Sequence, residues 1–418
     1  MTMQDELGVD QLDSLITILE LIRSGRATTK PEIARTTGYG RALVAQRVMS
    51  LMSLGLVAAG DTHIEGRGRA PRTLHLSADS GVLLLTELGT SRTDVCVSDL
   101  DGRHLASWSE SRDIHQSPES LLENLAVVFE RLLDESSRTR LDVWGVGIGV
   151  PAPVEYATGR ASGSAIMPNW EGFSAREFLS SRFGAPTWVD NDVNLMALGE
   201  FRLGSSDNVK QALYVKIGTG IGCGVISEGR LHRGAQGTAG DIAHIEVEQE
   251  SQVYCQCGQR GCLEAIAGGV ALTTAAEQRA VPTLSPILAN KVRGGDPLTI
   301  ADLVSAAGRG DPLAKKLFTS SARAVGAVMA SIVNFHNPSQ VVLGGTVAHS
   351  SDAYLAAVRE EIFRRSLPLA TRNLQVRLSE MDDSAGLLGA ALMVRDELFT
   401  RSYLTEWLRR GTPRLDVD

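Results

Sequence analysis

The chain of 418 residues is 43% hydrophobic and 22% charged, with a formal net charge of −8 at neutral pH. It has room for two or three domains with sizeable cores, and no apolar run approaches the roughly 18 residues that a membrane span needs. The opening "MTMQDELG" is acidic and lacks an apolar signal core, so the expectation is a cytoplasmic protein with no membrane partner, in which disulfides are rare.

Charge is unevenly spread. Residues 26–72 hold eight Lys or Arg against three acids, a local +5 beside a remainder of −13. A basic segment on an acidic body points to local contact with a polyanion. The segment is also periodic. Leu12, Leu15, Ile16, Leu19 and Ile22 recur at helical spacing, and Gly25 ends the run. Thr29 and Glu32, with Pro31 between them, form a capping signature for a short helix reaching Gly38. A third helix after Gly40 buries Val44, Val48 and Leu51 and shows Arg41, Ala42, Ala45 and Gln46 on another face. Two short extended pieces follow around "GDTHIEGRGRAPRTLHL". Three helices and a basic hairpin predict an α+β winged helix-turn-helix over residues 1–78, with operator DNA as partner. In the major groove, Arg41 suits guanine and Gln46 adenine. On the wing, Arg67, Arg69 and Arg72 suit a narrow minor groove or phosphates.

From Gly81 the texture changes to strands ("VLLLTEL", "TDVCVSD", "HLASWSE"), a helix from Pro118 to about Ser136, and the apolar strand "VWGVGIGV". Later strands in "APTWVDND", "ALYVKIGTGIGCGVIS" and "QVVLGG" alternate with helices such as 311–335, which predicts an α/β body. Residues 280–298, with their Pro and Gly, read as a surface excursion. The G-x-G-x-G of "KIGTGIGCG" is followed by more strand, not by a helix, which excludes a dinucleotide fingerprint. It leaves a tight hairpin or a backbone that approaches a bound group. Three of the five cysteines, Cys255, Cys257 and Cys262, fall within eight residues, and His244 stands eleven positions ahead of the first. Such clustering reads as metal ligation. Cys96 and Cys223, in apolar strands, read as core.

In this order, "VDNDVNLMALGE", "GTGIGCGVISEGRLHRGAQGTAGDIAH", "CQCGQRGCLE" and "VVLGGTVA" closely resemble the ROK family of sugar kinases and sugar-responsive repressors. The likeness runs over residues 82–395, and the repressor branch of that family adds an amino-terminal winged helix. The resemblance implies an α/β, actin-like (ribonuclease H-like) two-lobed sugar-kinase fold with a sugar in the cleft. Residues 79–200 would form the first lobe and 201–380 the second. Residues 381–418 would supply a helix returning to the first lobe, and a tail.

It further implies that His244, Cys255, Cys257 and Cys262 bind a structural zinc, since four protein ligands leave no open position for an activated water. By the same likeness Asn191, Asp192, His244 and Glu264 contact sugar hydroxyls, and Asn169 lines their cleft. Asp241 stands where the family usually has a longer Glu, so the hydroxyl it serves differs in reach. In ROK kinases the residue matching Asp192 is the catalytic base. Their first phosphate loop, D-x-G-G-T, is here "ELGTS" (Glu87 to Ser91), with a side chain at Thr90 where backbone must approach phosphate. The second loop (Gly218, Thr219, Gly220, Gly222) and Gly344 and Gly345 of "LGG" persist. ATP is therefore not expected as a cofactor. The reading is a sugar-responsive repressor taking a sugar or sugar phosphate, as a homodimer or homotetramer. The alternative is an ATP-dependent sugar kinase with an added DNA-binding domain.

Overall fold

The structure, a computed structural model, describes residues 9–60, 72–90, 92–111, 116–162, 167–203, 209–381 and 384–415. Helices α1 (Val9–Arg23), α2 (Lys30–Thr37) and α3 (Arg41–Ser53) lead into the antiparallel pair β1 (Val57–Ala59) and β2 (Leu74–Leu76). The capping box at α2 is formed, with the Glu32 carboxylate accepting the Thr28 and Thr29 amides at 3.0 Å and Thr29 Oγ1 accepting the Glu32 amide at 3.4 Å. These bonds hold the Glu32 carboxyl below the usual range, the Thr28 amide contributing most. Replacing Thr29 by Ala is expected to cost about 1 kcal/mol, read as a lower urea midpoint. Val44, Val48 and Leu51 are fully buried, so the face of α3 carrying Arg41 and Gln46 is exposed. This is the winged helix-turn-helix. Arg72 is exposed at the base of the hairpin, whereas Arg67 and Arg69 lie outside the described residues.

The body has two sheets of the same strand arrangement. The first holds β3 (Val82–Leu88), β4 (Thr93–Asp99), β5 (His104–Glu110) and, after α4 (Pro118–Glu135), β6 (Val143–Val150). A small hairpin, β7 (Val154–Glu155) and β8 (Arg160–Ala161), and α5 (Ala175–Phe183) precede its last strand, β9 (Thr187–Asn191). The order is β5-β4-β3-β6-β9. Helix α6 (Asp192–Leu203) crosses to the second sheet, built from β10 (Gln211–Ile217), β11 (Ile221–Ser227) and β12 (Arg230–Leu231). Helices α7 (Leu263–Ala267), α8 (Gly269–Arg279), α9 (Pro286–Arg293), α10 (Ile300–Gly308) and α11 (Pro312–His336) follow, and then β13 (Gln340–Gly344), α12 (Asp352–Arg365), α13 (Pro368–Thr371) and β14 (Gln375–Leu378). The order β12-β11-β10-β13-β14 repeats the first: two antiparallel neighbours on one side of the leading strand, two parallel ones on the other. The fold is the two-lobed, actin-like α/β architecture. Residues 280–298 are more than a surface excursion, because α9 buries Leu288 and Ala289 and Ser285 bonds Asp311 within the second lobe. Cys96 and Cys223 are buried core, as expected.

Two final helices tie the parts together. Helix α14 (Ser384–Leu398) packs on α6, β3 and β6, which brings the chain back to the first lobe. Helix α15 (Arg401–Arg410) then reaches α1. Leu12, Leu15, Ile16 and Leu19 of α1 join Phe399, Leu404, Trp407 and Leu408 in one continuous core. Ion pairs flank it, Arg23 with Asp396 at 3.1 Å and Arg401 with Asp13 at 2.5 Å. No helix among the described residues is long and apolar enough to cross a membrane.

Candidate functional site

A cleft of about 680 Å³ opens where the strand ends of both sheets face each other. Strand β9 runs directly into α6, so Asp190, Asn191 and Asp192 stand at a strand-to-helix junction. Asn191 Oδ1 accepts the Val193 amide at 3.0 Å and the Asn194 amide at 3.3 Å, while its Nδ2 donates to the Ala152 carbonyl at 3.1 Å. It thereby satisfies helix-start amides that have no partner within the helix. Asp192, 3% exposed, accepts from Lys216 Nζ at 2.7 Å. Burial alone would lower the Lys216 pKa, but Asp192 and Glu87 outweigh it and raise it, so the ammonium stays charged.

Two further residues were missed in the sequence. Asp190 accepts the Asn191 amide at 2.7 Å, Asn194 Nδ2 at 2.8 Å and Arg233 Nε at 2.7 Å. Arg233 lies over the Tyr156 ring at 3.6 Å. This buried network orients the junction that carries Asn191 and Asp192. The "VDND" run hinted at Asp190, but nothing local announced Arg233 or the pairing of Lys216.

Across the cleft, β10 and β11 form an antiparallel hairpin whose turn closes with the Gly218 amide donating to the Gly220 carbonyl at 2.9 Å. Gly218, Thr219, Gly220, Gly222 and Gly345 all line the cleft, so the turn is both a tight hairpin and a cleft wall. Gly344 ends β13 behind it. Glu264, in the first turn of α7, accepts the Ile221 amide at 2.9 Å. Asp241 and His244 reach the same wall, as do Glu87 and Thr90 from the first lobe. Ser91 lies outside the described residues. Asn169 is exposed on the turn Pro168–Trp170, beside the buried Trp170 and apart from the residues that line the cleft.

Beside this wall, one ring nitrogen of His244 and the sulfurs of Cys255, Cys257 and Cys262 lie within 4.8 Å of one another. Metal–sulfur bonds of about 2.3 Å and a metal–nitrogen bond of about 2.0 Å, at tetrahedral angles, require separations of about 3.8 Å and 3.5 Å. The structure has 3.7 Å between Cys257 and Cys262 sulfurs and 3.5 Å between Cys255 Sγ and His244 Nδ1. The donor set fits a four-ligand metal centre. Without a cation, burial and then the bond with Cys257 push the Cys262 thiol up to about 12. Cys257 goes the other way: burial is the largest single influence and raises it, but the bonds from the Gln259 amide and the neighbouring thiols together outweigh it. Backbone bonds fasten the loop: Val247 and Leu263 amides donate to Gly261 and Ile245 carbonyls at 2.8 Å. Gly261 has a φ of +65°, and a Cβ there would strike the Glu248 carbonyl.

The sequence profile of the ROK family matches residues 84–397, well over half of the chain. The chain belongs to the ROK family. A xylose repressor of Caldicellulosiruptor bescii is 27% identical over 392 residues, covering 93% of this chain and 97% of the repressor. A glucokinase of Halalkalibacterium halodurans is 30% identical over 274 residues, 66% of this chain and 83% of the kinase. The fold also matches the crystal structure of a ROK family transcriptional regulator, a homologue of Escherichia coli Mlc, with a TM-score of 0.78 at 23% identity. That match covers 96% of this chain and 99% of the other.

Proposed function

We propose that this ROK protein is a sugar-responsive, DNA-binding transcriptional repressor. One observation carries the reading. The repressor likeness spans 93% of the chain and so must take in most of the winged helix, whereas the glucokinase likeness spans 66%. The winged helix holds operator DNA. The cleft holds a sugar or sugar phosphate through Asn191, Asp192, Asp241, His244 and Glu264, whose amide, imidazole and carboxylate groups match hydroxyls that both donate and accept. A structural zinc on His244, Cys255, Cys257 and Cys262 keeps His244 and Glu264 in register. All four positions are taken by protein ligands, so the metal supplies rigidity and no bound water.

Kinase activity has one observation in its favour, since Asp192 and the Gly218–Gly222 turn share the cleft. Against it, Lys216 already holds Asp192, and Glu87 occupies the first phosphate loop. Coupled ADP release across a sugar panel, run beside operator binding with and without each sugar, decides between the two. The regulator reading requires sugar-dependent operator affinity without turnover.

On the DNA side, Arg41→Ala and Gln46→Ala are each expected to lose about 1–3 kcal/mol on the cognate operator and to relax sequence preference. The double change of Arg67 and Arg69 should weaken all sequences and flatten the salt dependence in the same binding assay. Arg47 is a built-in control, because its guanidinium is engaged with Ser14 Oγ at 2.7 Å. A homodimer or homotetramer fits this role, as one winged helix reads only a half-site. Phe335, 93% exposed beside Ile332 on α11, offers apolar surface for such an assembly.

A further inference from the structure

The cleft contains the kinds of group by which proteins hold phosphate: the start of α6, a glycine turn and an ammonium, with the first turn of α14 behind Glu87. In this structure the chain itself has answered them. At the start of α6, the Val193 and Asn194 amides go to Asn191 Oδ1, and Val193 also lies 2.9 Å from Asp192 Oδ1. In the glycine turn, the Ile221 amide goes to Glu264. In the first turn of α14, a Cβ on Gly386 would collide with the Glu87 carboxylate, so that carboxylate packs closely against this turn. The ammonium of Lys216 donates to Asp192 Oδ2 at 2.7 Å. Three carboxylates and one amide oxygen therefore stand where phosphate oxygens would have to be received.

We propose that Lys216, Asp192 and Glu87 form a charge filter that admits uncharged carbohydrate to the cleft and turns away phosphorylated sugars as well as nucleotides. The proposal rests on the sugar-cleft reading above and narrows it to one class of effector. A phosphate monoester brings a charge of about −1.5 to −2 at neutral pH. Here it meets two buried carboxylates, Asp192 at 3% and Glu87 at 6% exposure, and one ammonium that Asp192 already engages. To bind the ester, Lys216 would have to leave Asp192, stranding a buried charge. A neutral hydroxyl asks for no such exchange. It donates to a carboxylate and accepts from the ammonium at once, and the pair stays intact. Lys216 remains charged throughout, because Asp192 and Glu87 overcome the effect of its burial.

The test uses the full chain in its metal-bound form. Calorimetry and thermal shift are run with neutral aldoses and N-acetylhexosamines, including xylose, glucose and N-acetylglucosamine, each paired with its monophosphate. A neutral sugar is expected to bind at least 100-fold more tightly than its own ester. Glu87→Gln, which removes a charge at nearly constant shape, is expected to narrow that ratio at least tenfold by strengthening the ester. Lys216→Met is expected to widen it, and Lys216→Arg to keep it near wild type. Circular dichroism checks that each variant is folded. An ester that binds more tightly than its parent sugar overturns the filter while leaving the sugar cleft standing, and so does a ratio that Glu87→Gln leaves unchanged. A panel in which neither class binds removes the sugar cleft itself, and the filter with it.

Discussion

Replacing Cys257 by Ser is expected to strip the metal from the protein and to lower sugar affinity about 100-fold, since losing one of four ligands removes binding energy that also orders the loop. Cys257 is the exposed thiol of the cluster, so serine creates no cavity and the lobes keep their cores. Backbone bonds fasten the main chain of the loop, but they do not fix the side chains of the cluster. His244 and Cys257 are both at the surface, and the backbone bonds around Gly261 leave the ring of His244 free to swing once its nitrogen is released. Cys262 caps α7, and Glu264 stands two residues later on the cleft wall, so disorder at the cluster is expected to reach the proposed sugar contacts directly. Elemental analysis should fall from about one zinc per chain to a small fraction of that, as four-ligand geometry implies. Calorimetry should show the sugar weakened in parallel. Full zinc in the variant, or unaltered sugar binding after its loss, would separate the cluster from the cleft and overturn its assigned role.

A second large effect is expected at Asp396. Its carboxylate takes Arg23 of α1 at 3.1 Å and Arg202 of α6 at 3.1 Å. Helix α6 begins at Asp192 in the cleft and ends near Arg202, about 15 Å away at 1.5 Å per residue. It is also anchored to the second lobe, through Glu200 on Arg377 at 2.7 Å and on Ser379 at 2.7 Å. A sugar that draws the lobes together thus shifts the helix whose far end shares a carboxylate with the DNA-binding domain. An effector can act only through its different affinity for two arrangements, here of α6. Asp396→Asn should leave operator and sugar affinities within a few-fold of wild type when each is measured alone. The coupling between them, typically about 1–3 kcal/mol, should drop by more than half. Fluorescence anisotropy on labelled operator, with and without saturating sugar, reads that difference. Unchanged coupling would reduce Asp396 to a surface clamp.

Local chemistry made much of this legible in the sequence. The Thr29 and Glu32 caps and the burial of Val44, Val48 and Leu51 follow from helical period, which a linear chain displays openly. The His244 and Cys255–Cys262 spacing survived intact as a four-point cluster, because a metal site is encoded by residue type and short separation. Other features carry no such trace. The twin strand orders arise from pairings such as β10 with β13, more than a hundred residues apart. Lys216 looked like any polar residue in a half-buried strand, and only the fold brings it to Asp192. Asn169 follows from the family likeness alone; in this structure it is exposed beside the buried Trp170. The stretch around α9 was misjudged from its Pro and Gly, which here start and stop a helix with a buried face.

The shared core of α1 and α15 has a consequence for synthesis on the ribosome. Residues 12–19 emerge long before residues 399–408, which cover part of their apolar surface. At roughly 5–20 residues per second, that wait is on the order of 20–80 s. Until then the nascent DNA-binding domain lacks a neighbour that seats it, and a prematurely terminated chain never acquires one. Operator occupancy therefore reports on whole molecules: a fragment long enough to contain every DNA contact, but short of Trp407, competes poorly with the finished protein.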